Sequence, residues 1–145
     1  MRKRDESASI VRVPIRDESD LVVARRCVRE FALRHGLSGA AIEALATAVT
    51  EIARNVLDHA DGGLMWLGPW DPEEGPRGVM VTLRDEGPGI ADIERALQDG
   101  YTTKGGLGLG LPSARSLVDG FRIESEPGRG TTVTLWKLAC ASGLS

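Results

Sequence analysis

Three short stretches of the chain concentrate the side chains able to do chemistry. In TEIARN, residues 50–55, Glu51 and Asn55 stand four apart. On a helix they point the same way, beside a stripe formed by Ala48, Ile52 and Val56. A polar pair at the border of a buried face looks into a cleft; the alternative is an exposed Glu and Asn on an ordinary amphipathic helix. In RDEGPG, residues 84–89, Asp85 directly follows the strand-like VMVTL, and Gly87 and Gly89 permit close backbone approach around Pro88. A carboxylate fixed at a strand end accepts a hydrogen bond from a ligand amine, including the exocyclic amino group of a base. A plain Asp-Gly turn is the rival reading. The third stretch is KGGLGLGLPSARSL, residues 104–117. Its glycines 105, 106, 108 and 110 precede or open a helix, where unpaired N–H groups and the positive dipole end suit phosphate oxygens. Lys104 adds a mobile charge. Neither GxxxxGK[ST] nor the dinucleotide fingerprint after a first strand is present.

The elements that must position these residues follow from periodicity. SIVRVPI alternates well enough for a first strand, with Pro14 favouring an edge. Residues 17–36 read as a helix with the stripe Leu21, Ala24, Val28, Phe31 and Ala32, ending at Gly36. Ser38 caps a second helix to about Ala60, whose buried side is Ala41, Leu45, Ala48, Ile52 and Val56. LMWLGPW and RGVMVTLRD follow as a strand pair about the loop DPEEGP. A short helix is expected over residues 90–98, a loop DGYTTKGG, and a helix from about Leu107 to Asp119. Two closing strands direct Phe121, Ile123, Val133, Leu135 and Leu138 toward a core. The order β, two helices, two strands, two helices, two strands predicts an α/β two-layer sandwich, a mixed sheet covered on one face by helices. It argues against a doubly wound fold.

At 145 residues and 41% apolar composition, the chain has the size of one domain. The expected organisation is a flexible start over 1–9, one domain over 10–139, and a tail over 140–145. A formal net charge of −3 offers no general attraction to nucleic acid or an anionic membrane. No apolar run is long enough to span a membrane, and no signal region follows the basic MRKR. Cys27 and Cys140, outside any CxxC pair, suit a reduced compartment, so a cytoplasmic location is expected. His35 and His59 form no ligand constellation and are read as packing or surface residues. Met65, Trp66, Trp70 and Trp136 are read as core or edge contacts, since no basic stripe makes them a nucleic-acid platform.

Taken together, the three stretches resemble the ATP-binding fold of gyrase, Hsp90, bacterial histidine kinases and MutL, the GHKL or Bergerat type. TEIARN is similar to its N box at Glu51, Arg54 and Asn55, DEGPG to the first glycine box, GGLGLGL to the second, and GRGTTV to the last. The compact length and short lid look like the bacterial serine kinases of partner-switching systems, and the GYTTKGGLGLGLPSARSLVDGF text resembles the RsbT type of stressosome switch kinase. The resemblance implies ATP and Mg²⁺ as cofactors. It implies that Asp85 binds the adenine amino group within a box containing Gly87 and Gly89, that Asn55 holds Mg²⁺, and that Glu51 accepts the proton of an incoming serine hydroxyl. Gly106, Gly108, Leu109 and Gly110 would hold the phosphates by backbone contacts, with Lys104 reaching them from the lid. Thr131 or Thr132 would reach the base or its bridging water, strand propensity being the plain alternative. Arg54 would orient the site or a partner, with a surface role equally open. The implied activity is serine/threonine kinase action on STAS-domain antagonist or scaffold proteins, followed by activation of a PP2C-type phosphatase. The alternatives are an anti-sigma factor with kinase activity, which also holds a sigma factor, and a nucleotide-gated binding module with little catalysis.

Overall fold

The computed structural model describes residues 10–87 and 111–139. The expected helix over 90–98, the lid, Gly89, Lys104 and the glycines of the second box lie outside the described residues, as does Cys140.

The first helix, α1 (Glu18–Arg34), starts where the Asp17 side chain accepts from the backbone N–H groups of Ser19 and Asp20. All five residues of its stripe are buried. At its C-terminal end His35 stacks on Phe31 at 4.2 Å between centroids, a packing role as the sequence suggests. The second helix, α2 (Gly39–His59), is capped by Ser38, whose Oγ accepts from Ala41 N at 3.1 Å. Leu45, Ala48, Ile52 and Val56 are buried along it, with Ala41 packed against the same core.

Five strands form one sheet in the order β1-β2-β3-β5-β4: β1 (Val11–Ile15), β2 (Gly63–Trp70), β3 (Gly78–Asp85), β4 (Gly120–Ser125) and β5 (Thr131–Leu138). The two-layer sandwich is as expected, but the sheet is not mixed, because every neighbouring pair runs antiparallel. The connections explain this. Two successive helices return the chain reversed between β1 and β2, and β2–β3 and β4–β5 are consecutive strands. Strands β3 and β4 run the same way, yet β5 is inserted between them. Pro14 sits on β1, at the sheet edge, where a missing N–H is tolerated.

The register places Val13, Met65, Leu83, Val133 and Ile123 in one row across the sheet, and Val11, Leu67, Val81, Leu135 and Phe121 in the next. These rows face α1 and α2 and form the core. Leu138 points the other way, half-buried on the open face with Trp66, Trp70 and Trp136. The tryptophans are therefore neither core nor edge residues: the described helices lie on one face, and alternate strand positions emerge on the other. Within the described residues, α3 spans Leu111–Ser116 and stops short of Asp119. Asp119 instead donates its N–H to Trp136 O at 3.0 Å and accepts Leu138 N on its carboxylate at 2.8 Å, ties to β5 that a continuing helix would forgo.

Candidate functional site

Strand pairing carries the polar residues to one end of the sheet. Asp85 is the last residue of β3, and the ladder sets it opposite Thr131 of β5 and Gly63 of β2. Thr131 in turn faces Ser125 of β4. The row continues the core rows by one step, so Asp85, Thr131 and Ser125 point to the helix side just where the apolar packing ends.

The carboxylate of Asp85 is held by backbone donors. Its Oδ1 accepts from Gly87 N at 2.8 Å, and the backbone N–H of Thr131 donates to it as well. Burial pushes the Asp85 carboxyl above its ordinary value, the two backbone donors oppose that rise, Glu86 adds to it, and His59 opposes it. The two backbone donors fix the carboxylate at the strand end, where its oxygens can accept from a ligand N–H. Two glycines make this closeness possible. At Gly87 a Cβ would lie 2.6 Å from Ala60 Cβ and 3.0 Å from His59 O, the end of α2. At Gly130, with φ +86°, it would lie 2.1 Å from Asp85 O.

The last turn of α2 completes the rim. Asp58, His59, Ala60, Asp61 and Gly87 line an open crevice of about 320 Å³. His59, read from sequence as a packing or surface residue, thus borders the site. Farther up the same helix, Glu51 and Asn55 are both half-buried. Glu51 also lines a groove of about 220 Å³ between α1 and α2, with Arg25, Arg29, Ala46, Thr47 and Thr50. There Arg25 Nε donates to Thr50 Oγ1 at 3.3 Å, while Arg29 grips Glu43 at 2.9 and 3.1 Å. Arg54 points away: its guanidinium forms an exposed pair with Glu18 at 2.9 and 3.3 Å, joining α2 to α1.

Of the residues singled out in the sequence, Asp85, Gly87 and Thr131 meet at the sheet end, and Glu51 and Asn55 line the flank of α2 that runs to it. Thr131 and Thr132 part company. Thr131 stands beside Asp85, whereas Thr132 pairs with Arg84 and Glu124 on the open face. Gly89, Lys104, Gly106, Gly108, Leu109 and Gly110 lie outside the described residues. Ser125 was missed: its Oγ is 2.9 Å from Thr131 Oγ1 and donates to Gly130 O at 3.0 Å, bracing the turn that carries Thr131. Only the hairpin register reveals it, since FRIESEP offers no motif around a serine.

The donor set bears on which groups fit. A desolvated acceptor at the strand end suits an amino-bearing base. Among the described residues no three His, Cys, Asp or Glu side chains come together as a metal cage. A hard cation such as Mg²⁺ is usually held by one or two side-chain oxygens and by the phosphates of a nucleotide. Asn55 offers such an oxygen. No helix among the described residues is long and apolar enough to cross a membrane.

Comparison with known proteins adds a family match, three relatives and one solved structure. Residues 13–137 match the model of the histidine kinase-like ATPase domain. The serine/threonine-protein kinase RsbT of Bacillus subtilis is 36% identical over 121 residues, covering 83% of this chain and 90% of that protein. The anti-sigma F factor of Thermoanaerobacter sp. is 30% identical over 117 residues, 79% of this chain and 82% of that protein, and that of Heyndrickxia coagulans is 35% identical over 98 residues, 63% and 65%. A crystal structure of the RsbU and RsbW domains of Rv1364c from Mycobacterium tuberculosis superposes with a TM-score of 0.55 at 18% identity, over 90% of this chain and 33% of that one. The likeness is one of fold, and the chain spans about a third of that larger protein.

Proposed function

Because the chain belongs to the histidine kinase-like ATPase domain family, we propose that it is an ATP-dependent serine/threonine protein kinase acting on a STAS-domain protein in a bacterial partner switch. The observation that carries the reading is the geometry of α2. One helix holds Glu51 beside the α1–α2 groove and Asn55 one turn on, and its end abuts the box of Asp85.

In this reading Asp85 accepts the adenine amino group, with Gly87 and Gly89 keeping the backbone close and Thr131 fixing the carboxylate. Gly106, Gly108, Leu109 and Gly110 direct backbone N–H groups at the phosphates, and Lys104 adds a charge to them. Asn55 is the side chain that would hold Mg²⁺; when bound, the ion supplies positive charge to the phosphate oxygens. An acceptor serine approaches along the groove between α1 and α2. Glu51 takes the proton from its hydroxyl as the oxygen attacks the γ-phosphorus, and the bond to the β–γ bridging oxygen breaks to release ADP. Arg25, hydrogen-bonded to Thr50 while Arg29 is paired with Glu43, gives the groove a positive side for an acidic flank of the acceptor. Use of ATP suits a cytoplasmic protein. Release from the STAS partner frees the kinase to activate a PP2C-type phosphatase, a step that addition of the free kinase to a phosphatase assay tests directly.

A second reading is favoured by the anti-sigma F relatives, which match up to 82% of their length: the chain also sequesters a sigma factor. One experiment separates the two. Purified protein is incubated with γ-labelled ATP, Mg²⁺ and the STAS-domain proteins of the same genome, with a sigma-factor pull-down on the same sample. Label on a STAS serine without sigma capture is the expected result. Sigma capture moves the protein to the anti-sigma branch, and the absence of transfer to every STAS protein overturns the kinase assignment.

A further inference from the structure

The sheet face turned away from α1 and α2 carries side chains for which nucleotide chemistry has no use. Across β2, β3 and β5 it presents Trp66, Trp70, Met80, Trp136 and Leu138, all half-buried. These include all three tryptophans of the chain. The rings of Trp70 and Trp136 stack at 5.1 Å between centroids and 16° between planes, reaching over β3, which separates their strands. Trp136 lies close over β4, so that a Cβ at Gly120 would fall 1.8 Å from its Cε2. Stacked indoles left partly open to water on a face that no described element covers are unusual for a surface with no partner.

Beside Trp66 the border of this patch carries arginines. The register puts Arg12 and Arg122 at the two ends of the row that holds Trp66, and Arg84 and Glu124 in the next row. Arg84 and Arg122 are 59% and 69% exposed and form long ion pairs with Glu86 at 3.9 Å and Glu124 at 4.0 Å. Three arginines, two of them neighboured by Glu86 and Glu124, thus lie along one face of a chain whose formal net charge is −3.

We propose that this face docks an amphipathic helix of a partner protein, one that presents a line of aliphatic or aromatic anchors flanked by Asp and Glu. Size and charge choose this occupant. The anchors lie on the adjacent strands β2, β3 and β5, about 10 Å across at the usual strand spacing, which is the width of one helix. The arginine border selects acidic flanks and steers their approach. A helix here would stand as the third layer of the sandwich. Residues 84 and 85 alternate, so the docked helix would meet Arg84 while Asp85 keeps its carboxylate on the nucleotide side. The proposal is independent of the kinase reading and goes beyond it.

The tryptophans supply the readout. The probe is a synthetic helical peptide of about 18 residues, five turns, with leucines at i, i+3, i+4 and i+7 spacings and glutamates beside them; its companion carries lysines instead. The acidic peptide is expected to shift the tryptophan emission and to bind more weakly as salt rises. The double variant Arg84→Glu with Arg122→Glu, both at exposed sites, is expected to fold, to lose about tenfold or more in affinity for the acidic peptide, and to gain affinity for the lysine peptide. No emission change at saturating acidic peptide overturns the proposal, as does equal binding of both peptides to both proteins. An emission change that follows protein concentration alone, with a dimer in sedimentation, assigns the face to a second copy and overturns it too.

Discussion

Replacing Gly87 with alanine tests whether the end of α2 and the box after β3 form one rigid unit. The added Cβ would sit 2.6 Å from Ala60 Cβ and 3.0 Å from His59 O, against about 3.5–4.0 Å for carbon atoms in ordinary contact. Something must move by roughly 1 Å, and both neighbours belong to the well-anchored end of α2 rather than to a flexible side chain. Overpacking of this kind costs about 1–3 kcal/mol. For a domain of this size that lowers the melting temperature by roughly 3–12 °C. The displaced Gly87 N–H also loosens its 2.8 Å bond to Asp85 Oδ1. Nucleotide affinity should therefore fall by about tenfold or more, since hydrogen bonds to charged groups contribute about 1.5–3 kcal/mol. Gly39→Ala is the control. Nothing lies within 4 Å of a Cβ at this first residue of α2, so alanine should stabilise the helix by about 0.5–1 kcal/mol and leave binding unchanged. Thermal melts and titration with a fluorescent ATP analogue measure both. A Gly87→Ala protein that melts with the wild type and binds nucleotide equally well refutes the reasoning.

Asp85→Asn should weaken adenine-nucleotide binding by about 10- to 150-fold, from about 1.5–3 kcal/mol for a charged hydrogen bond, with circular dichroism unchanged; unchanged affinity by calorimetry counts against the assignment. Because burial raises the Asp85 carboxyl, its protonation on acidification begins at a higher pH than for an ordinary aspartate. Nucleotide affinity should decline over that window in the wild type, and not in Asp85→Asn. The stability effect has the opposite sign: the ionised form burdens the folded state at neutral pH, so this group's contribution improves as pH falls through its folded value. Leu135→Ala, at a fully buried position between β3 and β4, should cost about 2–5 kcal/mol in urea unfolding; a smaller loss would show that the core collapses to fill the space.

Much of this architecture is legible in local sequence. The apolar spacing of residues 21–32 and 41–56 identifies both long helices and their buried sides, because a 3.6-residue period is a property of the segment alone. Ser38 is readable as a cap for the same reason. Register is not local. That Asp85, Thr131 and Ser125 share a row, and that Thr132 belongs to the other face, follows only from which strands pair and at which residue. The antiparallel sheet and the short α3 have the same origin, the first in the insertion of β5 between β3 and β4, the second in the ties of Asp119 to β5. The tryptophans mislead because aromatic residues in strands usually mark a core, whereas here half of each strand faces away from the helices.

The central claim is that Glu51 serves the transfer step while the Asp85 end of the site binds nucleotide. Single-turnover transfer from γ-labelled ATP to a STAS acceptor that the wild type phosphorylates, compared with nucleotide affinity in Glu51→Gln, tests it most directly. The account predicts a transfer rate lowered by about 10²–10⁴, the usual worth of a general base, with affinity close to wild type. Transfer at the wild-type rate in Glu51→Gln would contradict it.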